Sequence, residues 1–167
     1  MIWYKDREHA SSWAVWHKDV TGYLYLNADN AVNTYTGLFG THTATNVIFD
    51  NLETGNNCVA YLFATLDGIS KVGSYNGNAT DNHVIDCGFS SGARFVLIKK
   101  SSNPGEWFVV DTVRGIVSGA DPFLELNQNR AEITNDDIVD PNSSGFALSS
   151  RADCNANNQT YIFYAIA

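Results

Sequence analysis

Cysteine, proline, methionine and positive charge are all scarce in this sequence, and each shortage removes a class of protein. The 167 residues hold three cysteines, Cys58, Cys87 and Cys154, with no Cys-x-x-Cys pair among them. An odd, scattered set argues against a disulfide framework and against a zinc knuckle. Three reduced thiols fit synthesis in a reducing cytosol. Ten basic residues face 18 acidic ones, for a net charge of -8. A surface of that sign repels phosphate backbones and gains nothing from anionic lipid, so neither nucleic acid nor membrane is expected as a partner. No apolar run approaches the length of a membrane span. The opening residues Met1-Ile2-Trp3-Tyr4-Lys5-Asp6-Arg7-Glu8 lack a basic leader followed by an apolar stretch, so no secretory signal is expected. Helical periodicity with caps is missing as well. Thr112 to Ile116, Asn127 to Glu132 and Thr134 to Val139 suit one helical turn each at most. Helix is expected to stay below roughly 10%, against a usual share near a third.

Aromatic and β-branched residues are what the chain has in quantity. Aromatics reach 13% and hydrophobic residues 44%, enough for a folded core. Short apolar runs recur at intervals of about ten residues, separated by Gly, Asn, Asp and Ser clusters that supply turns. They include Ile2-Trp3-Tyr4, Trp13-Ala14-Val15-Trp16, Tyr23-Leu24-Tyr25-Leu26 and Val47-Ile48-Phe49. Further runs are Asn82 to Cys87, Arg94 to Ile98, Trp107 to Val110, Phe123 to Leu126 and Tyr161 to Ile166. Val59-Ala60-Tyr61-Leu62-Phe63-Ala64 reads as a buried strand, preceded by the turn-like Glu53-Thr54-Gly55-Asn56-Asn57. The pattern predicts an all-β fold, an antiparallel sandwich or barrel.

The chain also resembles itself. Lys5 and Trp13 each fall 94 positions before Lys99 and Trp107. Val20-Thr21-Gly22 matches Val113-Arg114-Gly115, and Leu24-Tyr25-Leu26-Asn27 matches Leu124-Glu125-Leu126-Asn127. Asn56-Asn57-Cys58 with its apolar strand matches Asn157-Asn158-Gln159 with its own, at an offset of 101. Two copies of one repeat are therefore expected, at residues 1–67 and 68–167. The second has a front portion, Lys71 to Ala93, with no counterpart before Met1. The first copy is expected to be incomplete and to be covered from outside itself: by the second copy, by another chain, or by upstream residues. The short junction Asp67-Gly68-Ile69-Ser70 predicts that the copies pack closely.

Taken in order, Ile2-Trp3-Tyr4-Lys5, Trp13 to Asp19, Tyr25-Leu26-Asn27, Val59 to Ala64, Phe95 to Lys99, Asp111 to Gly115 and Gln159-Thr160-Tyr161 resemble a repeat domain of structural proteins and tail fibres of marine tailed phages. That domain is related to concanavalin-A-like and laminin-G-like sandwiches. The resemblance implies a tandem β-sandwich of jelly-roll or concanavalin type, made in the host cytoplasm and carried in the virion. It brings no catalytic residues. The implied partners are other virion proteins and copies of the chain, with a host-surface glycan as the alternative for a lectin-like tail-fibre module.

No nucleophile, base and orienting group stand together in the sequence, and none of its acidic residues falls in a Glu-x-Asp-x-Glu pattern, so an enzyme is not expected. His17-Lys18-Asp19 is a weak acid-base candidate, since the second copy has Asp111-Thr112-Val113 there. Asp111 and Arg114 are expected to form a local ion pair that pins a loop. Trp13 and Trp107 are expected to fill equivalent packing sites. Trp3, Trp16, Tyr23 and Tyr25 are extra rings peculiar to the first copy and are the candidate ligand or interface residues. Asn127, Asn129, Glu132, Asp136, Asp137 and Asp140 offer oxygen donors that suit calcium. The strict calcium-loop pattern is missing, so a solvated acidic loop is expected, with no metal or cofactor.

Overall fold

The computed structural model describes residues 1–43, 45–50 and 57–167. The fold is all-β, with 41% strand and 2% helix, and its sheets are antiparallel. The first part of the chain forms β1 (Ile2–Asp6), β2 (Ala14–Trp16), β3 (Leu24–Tyr25) and β4 (Cys58–Leu62), in the spatial order β3-β2-β1-β4. The rest forms β5 (Ser70–Asn76), β6 (His83–Asp86), β7 (Phe95–Lys100), β8 (Trp107–Asp111), β9 (Asp121–Glu125), β10 (Ile133–Asp136), β11 (Val139–Asn142), β12 (Gly145–Leu148), a single helical turn α1 (Ala152–Asn155) and β13 (Thr160–Ile166). Six of these strands make a sheet in the order β10-β9-β8-β7-β13-β5, and three make another in the order β11-β12-β6.

Three layers result, with the six-stranded sheet in the middle. One of its faces carries Val96, Ile98, Phe108, Val110, Tyr161 and Phe163, which pack with Ile85, Phe146 and Leu148 of the three-stranded sheet. Its other face carries Val72, Leu97, Trp107 and Ile162, which pack with Met1, Val15 and Leu24 of the four-stranded sheet. Burial on both faces explains why Val96, Leu97 and Ile98 run apolar without alternation and are at most 1% exposed. The far side of the four-stranded sheet holds Ile2, Tyr4, Ala14 and Tyr23 under Phe39, with Leu38 and Phe49 against them.

The two regions paired by sequence have the same strand order and register. Tyr4 opposes Ala14 and Trp3 opposes Val15, just as Ile98 opposes Phe108 and Leu97 opposes Val109. The hydrogen bonds coincide too. Asn27 Oδ1 accepts from the Trp13 amide at 2.9 Å, and Asn127 Oδ1 accepts from the Trp107 amide at 2.9 Å. Leu26 and Leu126 donate to the carbonyls of Trp13 and Trp107 at 2.9 and 2.8 Å. Lys5 and Lys99 both fasten their hairpins: the first through the His9 carbonyl at 3.1 Å, the second through the Gly105 carbonyl at 2.7 Å.

Several expectations change. Asp6 opposes Cys58 where Lys100 opposes Tyr161, so the last strands correspond at an offset of 103 rather than 101. A two-residue slip keeps every side chain on its face, and sequence alternation alone does not exclude it. β4 is an edge strand with Cys58, Ala60, Tyr61 and Leu62 exposed, so Val59 to Ala64 is not a buried strand. Thr134 to Val139 makes the end of β10 and the start of β11, not a helical turn. Val47-Ile48-Phe49 is no strand; Phe49 only bridges Phe39. The turn-like Glu53-Thr54-Gly55-Asn56 lies outside the described residues.

Candidate functional site

A cleft of about 330 Å³ opens beside the outer face of the four-stranded sheet, lined by Trp16, Tyr35, Phe39, Gly40 and His42 among others. β2 contributes Trp16 at its end. The remaining walls come from the loop after β3, which Gly22 anchors. Its φ is +107°, and a Cβ there would lie 1.9 Å from the Asn33 carbonyl oxygen, so only glycine lets Tyr23 and Asn33 exchange their 3.0 and 2.8 Å amide bonds. Further along, Gly40 donates to Ile48 at 3.0 Å and Asp50 to Leu38 at 3.1 Å, bringing Leu38, Phe39 and Phe49 against Tyr4. The His42 ring meets Trp16 edge-on at 4.4 Å. The Ile48 amide donates to His42 Nδ1 at 3.0 Å. That bond assigns the neutral ring's proton to Nε2, which has no partner among the described residues. Burial pushes the His42 pKa below its ordinary value. Tyr35 stands 56% exposed at the rim.

The four extra rings do not gather in one place. Trp16 reaches the cleft. Tyr23 is buried beside it, its hydroxyl 3.1 Å from that of Tyr25 and 3.2 Å from Asn33 Nδ2. Trp3 turns the other way, into the layer between the sheets, with its ring 4.7 Å from that of Phe63. Tyr35, Phe39 and His42 lay outside the sequence-based candidates because their loop has no period to single them out.

The other candidates are structural in their contacts. Trp107 is 1% exposed and donates its indole N–H to the Tyr25 carbonyl at 2.8 Å, whereas Trp13 is half-buried against Tyr61. Asp111 pairs with Arg114 and accepts from the amides of Val113 and Arg114 at 3.0 and 2.9 Å. Arg114 continues to Glu132 at 3.0 Å. His17 is fully buried, and desolvation lowers its pKa to about 4. Its Nδ1 accepts from the Asp19 amide at 3.2 Å, while the Asp19 carboxylate is held by Lys18.

A second, charged cleft of about 310 Å³ brings together Lys100, Glu106, Glu125, Arg130, Arg151 and Asp153. Sequence spacing left Glu125 alone; the hairpin between β7 and β8 carries Glu106 to it. Glu125 pairs with Arg130 at 2.9 Å, although its Oε2 makes no hydrogen bond among the described residues, and Glu106 accepts from Gln128 Nε2 at 3.0 Å and from Asn127. Burial raises the Glu125 pKa, with Arg130 opposing. Among the described residues, no three His, Cys, Asp or Glu side chains gather to hold a metal. Of the acidic-loop donors, Asp136 pairs with Arg151 at 2.6 Å. No helix among the described residues is long and apolar enough to cross a membrane.

A family model described as Domain of unknown function (DUF7483) matches residues 1–167. No curated protein and no solved structure matches the chain.

Proposed function

The chain belongs to that DUF7483 family along its whole length, and we propose a structural module that makes subunit or surface contacts in a tailed-phage particle, in its capsid, tail or tail fibre. One observation carries the contact role. Among the described residues the four-stranded sheet ends in an open strand, β4, in which Tyr61 and Leu62 stand 52 and 62% exposed. Apolar side chains grouped along an unpaired edge mark a surface that a partner covers. Its partners in this reading are other particle proteins and copies of itself. The particle location is supported by the resemblance of the motifs from Ile2-Trp3-Tyr4-Lys5 to Gln159-Thr160-Tyr161. We read the architecture as a duplicated concanavalin-like sandwich, supported by the shared register and the paired Asn27 and Asn127 bonds. The role is contact rather than catalysis, supported by the ion pair of Glu125 with Arg130 and the side-chain amide hydrogen bonds on Glu106 in the charged cleft. Immunogold labelling of phage particles from the producing culture tests the location. Decoration is expected; chain found only in the free protein fraction overturns it.

The aromatic cleft favours a second reading, glycan binding by a tail-fibre module. An exposed Tyr35 ring in the same cleft as Trp16 suits a sugar face. A glycan array separates the two. Binding abolished by Trp16→Ala and Tyr35→Ala, but kept by an exposed change elsewhere such as Val113→Ala, selects the glycan reading.

A further inference from the structure

The central sheet contains a filled version of the edge that β4 leaves open. β13, the counterpart of β4, pairs on both sides: with β7 as β4 pairs with β1, and also with β5 along seven residues, Thr160–Ile166 against Ser70–Asn76. Among the described residues β4 has no second neighbour. The direction of the free backbone groups follows from the bonds already made. Phe63 donates to the Met1 carbonyl and Arg7 to the Asn57 carbonyl, both at 2.9 Å. In an antiparallel ladder the bonding residues alternate. Tyr61 and Val59 therefore bond β1, while the N–H and C=O groups of Cys58, Ala60 and Leu62 point away from it. On β13 the same parity holds: Ala167 donates to Ile69 at 2.9 Å and Gly77 to Gln159 at 2.8 Å. Tyr161, Phe163 and Ala165 thus face β5, and these are the counterparts of Cys58, Ala60 and Leu62.

We propose that the β4 edge accepts an antiparallel strand of β5 chemistry, supplied by another polypeptide of the assembly, in the register that β5 takes on β13. The proposal rests on the contact-module reading of the same surface and names its partner. The incoming strand sets a Ser74-like residue opposite Val59, a Val72-like residue opposite Tyr61 and a Lys71-like residue opposite Leu62. One position differs in a way that sets specificity. Gly73 lies under the Phe163 ring, where a Cβ would come within 2.6 Å of it. Ala60 stands at the Phe163 position, so the incoming strand has room there for a side chain larger than glycine.

The test uses the 167-residue protein and a synthetic peptide with the sequence of Ser70–Asn76. Cys58 is exposed, while Cys87 and Cys154 are buried, so alkylation in the native state reads the edge. Saturating peptide is expected to slow Cys58 alkylation and amide exchange at Ala60 and Leu62 by about tenfold or more. A peptide N-methylated at Gly73 loses the donor that faces Ala60 and is expected not to bind. A Gly73→Val peptide is expected to bind about fivefold tighter, the span of strand preference. Ala60→Pro removes the outward amide on an edge where proline is tolerated; an unchanged circular dichroism spectrum with lost binding supports the proposal. Unchanged Cys58 reactivity at saturating peptide overturns it. So does Cys58 protection that rises with protein concentration alone, which assigns the edge to a second copy of β4. Peptide binding with no labelling of particles keeps the edge inference and removes only the particle location.

Discussion

The indole nitrogen of Trp107 donates a 2.8 Å hydrogen bond to the carbonyl of Tyr25, tying the central sheet to the four-stranded one. Trp107 lies in the cluster with Met1, Val15 and Leu24, so the bond crosses the layer between the sheets. Trp107→Phe removes the donor, leaves the Tyr25 carbonyl unpaired and opens a small void. The expected loss is about 3 kcal/mol in urea unfolding. Trp13→Phe, at the equivalent but half-buried site, is expected to cost about 1 kcal/mol.

Asn27 and Asn127 give a second test of the internal correspondence. Each side-chain oxygen accepts a tryptophan amide at 2.9 Å, that of Trp13 just before β2 and that of Trp107 at the start of β8. Alanine at either position is expected to cost about 1 kcal/mol, with the larger loss at Asn127, whose amide binds the carboxylate of Glu106 where that of Asn27 reaches only Ser12 Oγ at 3.4 Å. The double variant should sum to within about 0.5 kcal/mol, since the two bonds share no partner. Strong coupling between them in the measured unfolding free energies contradicts independent hairpins.

These asparagines were legible in the sequence because the pairs Trp13–Asn27 and Trp107–Asn127 recur with nearby apolar landmarks. The exposure of β4 was not. Val59 to Ala64 has the composition of a covered strand, and what covers its counterpart β13 is β5, a segment far away in sequence. The cleft was half legible. Trp16 stood out as a ring matched only by Val110 in the sequence comparison, whereas Tyr35, Phe39 and His42 sit in an irregular loop whose course depends on Gly22 and Gly40. Trp3, equally conspicuous in the sequence, faces inward because strand alternation from the buried Tyr4 puts it there.

Thiol reactivity follows burial. Desolvation pushes the pKa values of Cys87 and Cys154 up to about 12, so neither supplies thiolate at neutral pH. In the native protein one equivalent of alkylating reagent is expected to label Cys58, with the other two cysteines reacting only on unfolding. Peptide mapping of the labelled protein checks this.

Acid weakens the fold through His17. The folded-state pKa is about 4, against about 6.5 for an unfolded histidine. Between those values the unfolded chain binds the extra proton, so stability rises with pH. The contribution is complete above about 6.5 and is lost as pH falls toward 4. The difference amounts to about 3 kcal/mol. His17→Gln, which does not titrate, is expected to flatten that part of the stability profile in urea titrations at pH 4 to 7. A slope unchanged by the substitution refutes the assignment.

Asp121 is the buried group whose loss should be felt furthest. Fully enclosed at the start of β9, it accepts three backbone amides: Val117 at 3.0 Å on Oδ1, and Ile138 and Val139 at 3.1 and 2.8 Å on Oδ2. One side chain therefore fixes the loop before β9 and the entry to β11, joining the central sheet to the three-stranded one. Burial raises its pKa in spite of those three bonds, and Asp140 adds to the rise. Because the folded value lies above the unfolded one, its titration favours the fold at low pH and loses that contribution as pH climbs through the folded value, opposite in sign to His17. Asp121→Ala strands the buried donors of Ile138 and Val139 and frees the exposed Val117 amide, and is expected to cost about 3 kcal/mol. Asp121→Asn keeps one acceptor oxygen but turns an N–H₂ toward amides, and is expected to cost about 2 kcal/mol. Hydrogen exchange should show the Val117, Ile138 and Val139 amides losing protection first in both variants, with the β1–β2 hairpin amides unchanged. Uniform loss of protection across all three layers instead would mean that Asp121 supports the whole fold rather than this one junction.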